Sequence, residues 1–116
     1  MFTPAANQKI WLCTTAVDMR KSFNGLSALV RNKLGHNPQS GQYFVFVNAR
    51  KTQMMVLYFE SSGYCVWAKR LEQGQFPVKN QSNGIQSLTV SGLHMIVDGI
   101  TVLRHKQAKR YGQSTA

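Results

Sequence analysis

The chain has 116 residues, of which 43% are hydrophobic, enough for one domain with its own core and too apolar for a disordered chain. Fourteen Lys and Arg face four acids, Asp18, Glu60, Glu72 and Asp98, giving a formal net charge of +10, a balance that attracts polyanions and points to nucleic acid. No apolar run reaches the roughly 18 residues of a membrane span and no apolar signal core opens the chain, so a cytoplasmic protein with no membrane contact is expected.

Residues 1–9 read as a polar lead-in. Ile10 to Thr14 is β-prone and predicts a first strand. Asp18 then reads as an N-cap, because Met19, Phe23, Leu26, Val30 and Leu34 follow at helical spacing and form one apolar stripe. Gly35 is the natural left-handed stop for a helix over 19–34, with Pro38 just beyond. Gly25 inside that helix costs about 1 kcal/mol relative to Ala, which suggests a close helix–sheet contact.

The centre is β-rich. Tyr43 to Val47 is continuously apolar, as befits a strand covered on both faces. Asn48 to Thr52 is a polar turn, Gln53 to Glu60 a second strand of this region, Ser61-Ser62-Gly63 a tight turn, and Tyr64 to Leu71 a third strand. Short turns make these antiparallel neighbours. Ile85 to Leu88 predicts a short further strand. Thr89 reads as the N-cap of a second, shorter helix carrying Leu93, Ile96 and Val97 and ended by Gly99. The expected fold is α+β: a small antiparallel β-meander of three to five strands with one long and one short helix packed on it. The expected organisation is a single domain over 1–103, followed by a basic mobile tail over 104–116 that has no apolar periodicity. Strand order does not follow from these patterns, and neither does oligomeric state.

Catalytic constellations are scarce. Two-metal DNA cleavage needs about three converging acids, and the four acids here are scattered. His36, His94 and His105 form no ligand pair, and neither GxxxxGK[ST] nor GxGxxG occurs. Cys13 and Cys65 lie in strand-like runs without a CxxC and read as reduced, buried thiols. No catalytic residue, metal or cofactor is expected. Tyr43, Phe44, Tyr64 and Trp67 offer rings that can stack on bases, but core packing is their more ordinary role.

Basic clusters carry the positive case. Arg20 and Lys21, Arg50 and Lys51, Lys69 and Arg70, and Arg104, Lys106, Lys109 and Arg110 are the candidate nucleic-acid contacts. Such groups bind phosphates and release counterions without reading sequence. Lys69 and Arg70 are adjacent on a strand, so they face opposite sides and cannot share one patch.

Four separated segments carry a resemblance. They are Val17-Asp18-Met19-Arg20-Lys21-Ser22-Phe23-Asn24-Gly25-Leu26, Gly41 to Arg50 around Phe44-Val45-Phe46, Gly63 to Phe76 with Lys69-Arg70-Leu71-Glu72-Gln73-Gly74-Gln75-Phe76, and Leu88-Thr89 with Leu93 and Gly99-Ile100. Together, over roughly 8–103, they resemble the small accessory protein (TnpB, second open reading frame) of the insertion-sequence family sixty-six transposons. Ser22, Asn24 and Val90 depart mildly from the family's usual Gly, Asp and Pro. The resemblance implies a non-catalytic role in transposition beside a separate, element-encoded transposase, and it transfers no catalytic residue. Three readings follow: an accessory protein that holds DNA electrostatically, a protein–protein adaptor for the transposase with no nucleic-acid contact, and a cryptic nuclease. The charge favours the first, with DNA and the transposase as partners, and the shortage of acids opposes the third.

Overall fold

A computed structural model describes residues 4, 5, 7–79 and 84–99 of the chain. Five strands form one sheet: β1 (Ile10–Cys13), β2 (Tyr43–Val47), β3 (Gln53–Glu60), β4 (Gly63–Arg70) and β5 (Ile85–Leu88), in the order β4-β3-β2-β1-β5. Helix α1 (Phe23–Leu29) continues as a wider π-type coil over Val30–Leu34, and α2 covers Val90–Val97. The expected α+β class and helix count are what the structure has.

The meander is real for β2, β3 and β4, which pair antiparallel in sequence order. β1 differs: it lies parallel to β2, with Ile10 opposite Tyr43, and antiparallel to β5. A parallel pair needs a long crossover, and the segment carrying α1 supplies it. β3 and β4 join through Ser61 (φ 52°) and Ser62 (φ 70°), both left-handed, which is the turn whose twist matches a hairpin.

Strand alternation sorts the core into two layers. Ile10, Leu12, Val45, Val47, Met54 and Val56 face α2, joined by Phe76 from the 71–79 connection and by Leu93, Ile96 and Val97. Cys13, Phe44, Phe46, Met55 and Leu57 face the other way, onto Val17, Leu26 and Val30. Phe44, Val45 and Phe46 are fully buried, as a continuous apolar run in a central strand requires. Each such side chain contributes about 1.5–3 kcal/mol of burial.

Two expectations about the long helix are corrected. It begins at Phe23 and not at 19, and Ser22 occupies the N-cap without a side-chain bond. Asp18 therefore caps no helix; its carboxylate is taken by Arg20. Gly25 marks no helix–sheet contact either. A Cβ there would meet the side chain of Lys21, at 3.2 Å, on the preceding turn. The stop at Gly35 is as expected, with φ 72°. Thr89 caps α2, its hydroxyl accepting from Gly92 N at 2.9 Å. Both cysteines are free thiols; Cys13 is buried and Cys65 half-buried.

Candidate nucleic-acid interface

The strand directions gather residues that are far apart in sequence. β1, β2 and β4 end at the same end of the sheet, where β3 begins. That end carries the Thr14–Lys21 connection, the Asn48–Thr52 turn and the close of β4. Arg20, Lys21, Arg50, Lys51, Lys69 and Arg70 consequently come together there. Arg31 and Lys33, on the last turns of the long helix, are carried toward the opposite end, where the chain enters β2. Two adjoining grooves mark the basic end. One, about 470 Å³, is lined by Met19, Gln53, Ala68, Lys69, Arg70 and Glu72 among others. The second, about 370 Å³, shares Met19 and Gln53 and adds Asp18, Arg20, Asn48 and Arg50.

The Asn48–Thr52 turn is the most firmly built part of this end. Asn48 Oδ1 accepts from Thr52 N (2.9 Å) and Gln53 N (3.1 Å), and Asn48 Nδ2 donates to Thr52 Oγ1 (3.1 Å). An Asn side chain that satisfies backbone two or more residues ahead is a turn former for this reason. From the other side, Gln75 Nε2 donates to Arg50 O (2.9 Å), Phe76 N to Lys51 O (2.7 Å) and Leu71 N to Thr52 O (2.8 Å). Lys51 holds a left-handed backbone, φ 61°, which costs a side-chain-bearing residue about 1–2 kcal/mol. Arg50 and Lys51 are thus presented on a backbone fixed from both sides.

The acids at this end are committed to arginines. Asp18 accepts from Arg20 N (2.9 Å) and from the guanidinium, with the closest contact, Arg20 Nη2 to Oδ2, at 2.7 Å. The hydrogen bonds from the Arg20 side chain and backbone lower the Asp18 carboxyl to about 2. Arg20 remains 91% exposed, so the pair is clamped but open to solvent. Arg70 Nη2 lies 3.4 Å from Glu72 Oε2, again at the surface, where such pairs contribute little. Lys69 faces the other side of the sheet, as strand alternation demands, and donates through Nζ to Val97 O at 2.9 Å. It closes the carboxyl end of α2. Among the described residues no carboxylate pairs with Lys21, Arg50 or Lys51.

The sequence reading overlooked Asn48 and Gln75, which position the turn, and Lys79, which with Lys51, Thr14 and Thr15 lines a recess of about 10 Å³, the size of one water. The signal for Asn48 was its place at the head of a polar turn. For Gln75 and Lys79, nothing local distinguishes them from other loop residues. Arg104, Lys106, Lys109 and Arg110 lie outside the described residues. The candidate aromatics are engaged in packing: Tyr43 stacks on Tyr58 at 4.9 Å, Phe59 meets Tyr64 edge-on at 5.1 Å, and burial raises both Tyr43 and Tyr58 hydroxyls. Among the described residues no three His, Cys, Asp or Glu gather to hold a metal ion, and no described helix is long and apolar enough to cross a membrane.

Fold and site define a small basic α+β protein that brings cations from three separate segments to one end of a mixed sheet. The chain belongs to the family described as IS66 Orf2-like proteins, whose profile matches residues 8–107, a family of accessory proteins associated with transposition. The match runs past residue 103 and takes in Arg104 and Lys106. Two proteins of Sinorhizobium fredii are similar to it along nearly their whole length. "Uncharacterized protein y4hO" is 30% identical over 107 residues, covering 92% of each chain. "Uncharacterized protein y4jC" is 31% identical over 112 residues, covering 95% of this chain and 96% of its own. No solved structure matches.

Proposed function

We propose that this protein serves IS66-type transposition by holding DNA through its phosphates, beside the transposase that performs the chemistry. The observation that carries the reading is the convergence of Arg20, Lys21, Arg50, Lys51 and Arg70, from three separate segments, on one end of the sheet, with Lys69 turned to the opposite face. Lys21, Arg50 and Lys51 are the principal contacts, because no described acid competes for them, and Arg20 and Arg70 add charge that their carboxylates partly offset. Lys69 serves α2 first. Arg104, Lys106, Lys109 and Arg110 supply further phosphate contacts. Among the described residues none of these groups stands on a helix or strand set out to read bases, so binding is weakly specific and salt-sensitive.

The test is a titration of the purified protein with element-end DNA and with random DNA at several salt concentrations. With about five phosphates neutralised, log K falls against log salt with a slope near −4 to −5 for both DNAs. No binding at low salt, or a slope near zero, rejects the reading and leaves the adaptor role, in which the transposase is the direct ligand.

A further inference from the structure

β4 is an edge strand of the sheet among the described residues. Glu60 and Gly63 close the hairpin, and Leu71 N donates to Thr52 O, so the odd-numbered residues of β4 bond inward to β3. The N–H and C=O groups of Tyr64, Val66, Ala68 and Arg70 therefore point outward, and among the described residues no strand pairs with them. This edge is eight residues long, in unbroken one-to-one register with β3, and contains no proline. Proteins shield sheet edges with bulges, prolines, charges or brevity. The opposite edge, β5, is short at four residues. On β4 the charged residues stand only at the end, Lys69 and Arg70, and Lys69 is drawn aside to α2.

We infer that this edge pairs with β4 of a second copy of the chain, antiparallel about a two-fold axis at Trp67, extending the sheet across both molecules. In this register Val66 lies opposite Ala68 of the second copy and Tyr64 opposite its Arg70. All outward groups from Tyr64 to Arg70 are then satisfied, by about eight hydrogen bonds between the chains. A register shifted by two residues leaves some of them unpaired. Trp67 meets its counterpart at a non-hydrogen-bonded position, where opposed side chains approach most closely and aromatic pairs stabilise. Charge fits the same arrangement. Antiparallel pairing sets the Lys69–Arg70 end of each strand beside the turn end of the other, whose charge is Glu60, and keeps the two basic ends apart. The area buried by one edge is small for an interface, so the dimer is a micromolar one, with Kd on the order of 10 µM. The inference does not depend on DNA binding.

Sedimentation velocity and cross-linking test it. The intact protein is expected to be mainly dimeric at about 100 µM and to dissociate on dilution. Ala68→Pro removes only an outward N–H, which an edge strand tolerates, and should give a folded monomer with an unchanged far-UV spectrum. Ala68→Lys, which keeps the N–H and places like charges near the axis, should weaken the dimer at least tenfold. The register is read by Lys69→Cys, which stands opposite the native Cys65 of the second copy in a pair close enough for a disulfide. Mild oxidation should link it into a covalent dimer, while Arg70→Cys, on the other face and opposite Tyr64, should stay unlinked. A protein that remains monomeric at about 100 µM, or a dimer indifferent to both changes at Ala68, overturns the proposal. Equal cross-linking of the Lys69→Cys and Arg70→Cys variants overturns its register.

Discussion

Lys69 Nζ donates to the carbonyl oxygen of Val97 at 2.9 Å, tying the end of β4 to the last turn of α2. The bond answers two needs. The final carbonyls of a helix have no partners within it, and a cation there complements the helix dipole. α2 has only eight residues, too few to be stable alone, so contacts of this kind hold it to the sheet. Lys69→Met keeps the aliphatic stem and removes the bond. It should lower unfolding free energy by about 1 kcal/mol while leaving DNA affinity nearly unchanged, since Lys69 is engaged with α2. Urea melts and the salt titration together check this. A large loss of affinity without loss of stability would mean that Lys69 contacts phosphate.

Asp18 gives a pH prediction. Its carboxyl titrates at about 2 in the folded chain against 3.8 in the reference state, so its stabilising contribution is present above about pH 4. That contribution is lost as pH falls from about 4 toward 2. Asp18→Asn should flatten this part of the stability profile, since the amide oxygen can still accept from Arg20 N but bears no charge. The same change frees the Arg20 guanidinium and raises the net charge by one, so DNA binding at neutral pH should tighten. Acid-titrated thermal melts follow the first effect and a binding titration the second. An unchanged acid limb, or weaker binding, counts against the clamp.

The contrast between Asp18 and Tyr43–Val47 shows where sequence suffices. A run of apolar residues between turn signals has one economical home, the middle of a sheet, and β2 occupies it. β3 and β4 are legible as strands from the turns that bound them, but both are apolar on successive residues, Met54 to Phe59 and Tyr64 to Ala68, so their sequences do not say which side chain belongs to which layer. Asp18 misleads because an Asp bonding a backbone N–H two residues ahead looks the same whether or not a helix follows. The parallel pairing of β1 with β2 is invisible for another reason: alternation encodes which face is buried, not which strand lies alongside. The basic pairs were each legible, but their convergence depends on strand directions, and the diversion of Lys69 depends on where α2 ends.

Lys51 sets charge against backbone strain. Its left-handed φ of 61° suits glycine, and its carbonyl is held by Phe76 N at 2.7 Å. Lys51→Gly relieves the left-handed cost but adds freedom to the unfolded chain, for a net gain on the order of 0.5 kcal/mol. It also deletes one presented cation. Binding should weaken, and the slope of log K against log salt should become shallower by about 0.9. Denaturant midpoints and salt-dependent affinities measure the two effects separately. A stabilised variant that binds DNA as before would remove Lys51 from the interface.

The cations beyond residue 103 make a contribution that truncation can divide. The family match ends at residue 107, which divides them into two groups: Arg104 and Lys106 within it, Lys109 and Arg110 beyond it. Two truncations separate their contributions. Ending the chain after Gln107 removes two cations, and ending it after Leu103 removes all four. If each contacts one phosphate, the salt slope should become shallower by about 1.8 and about 3.6 respectively. Neither truncation should shift the melting temperature much, because the removed segment has no apolar periodicity and the core residues among those described lie within 10–97. Unequal effects are informative. A change confined to the longer truncation would assign the role to Arg104 and Lys106, the pair inside the family's span. A fall in melting temperature with that truncation alone would show that residues 104–107 support the fold, and their effect on affinity would then have to be read at matched fractions of folded protein.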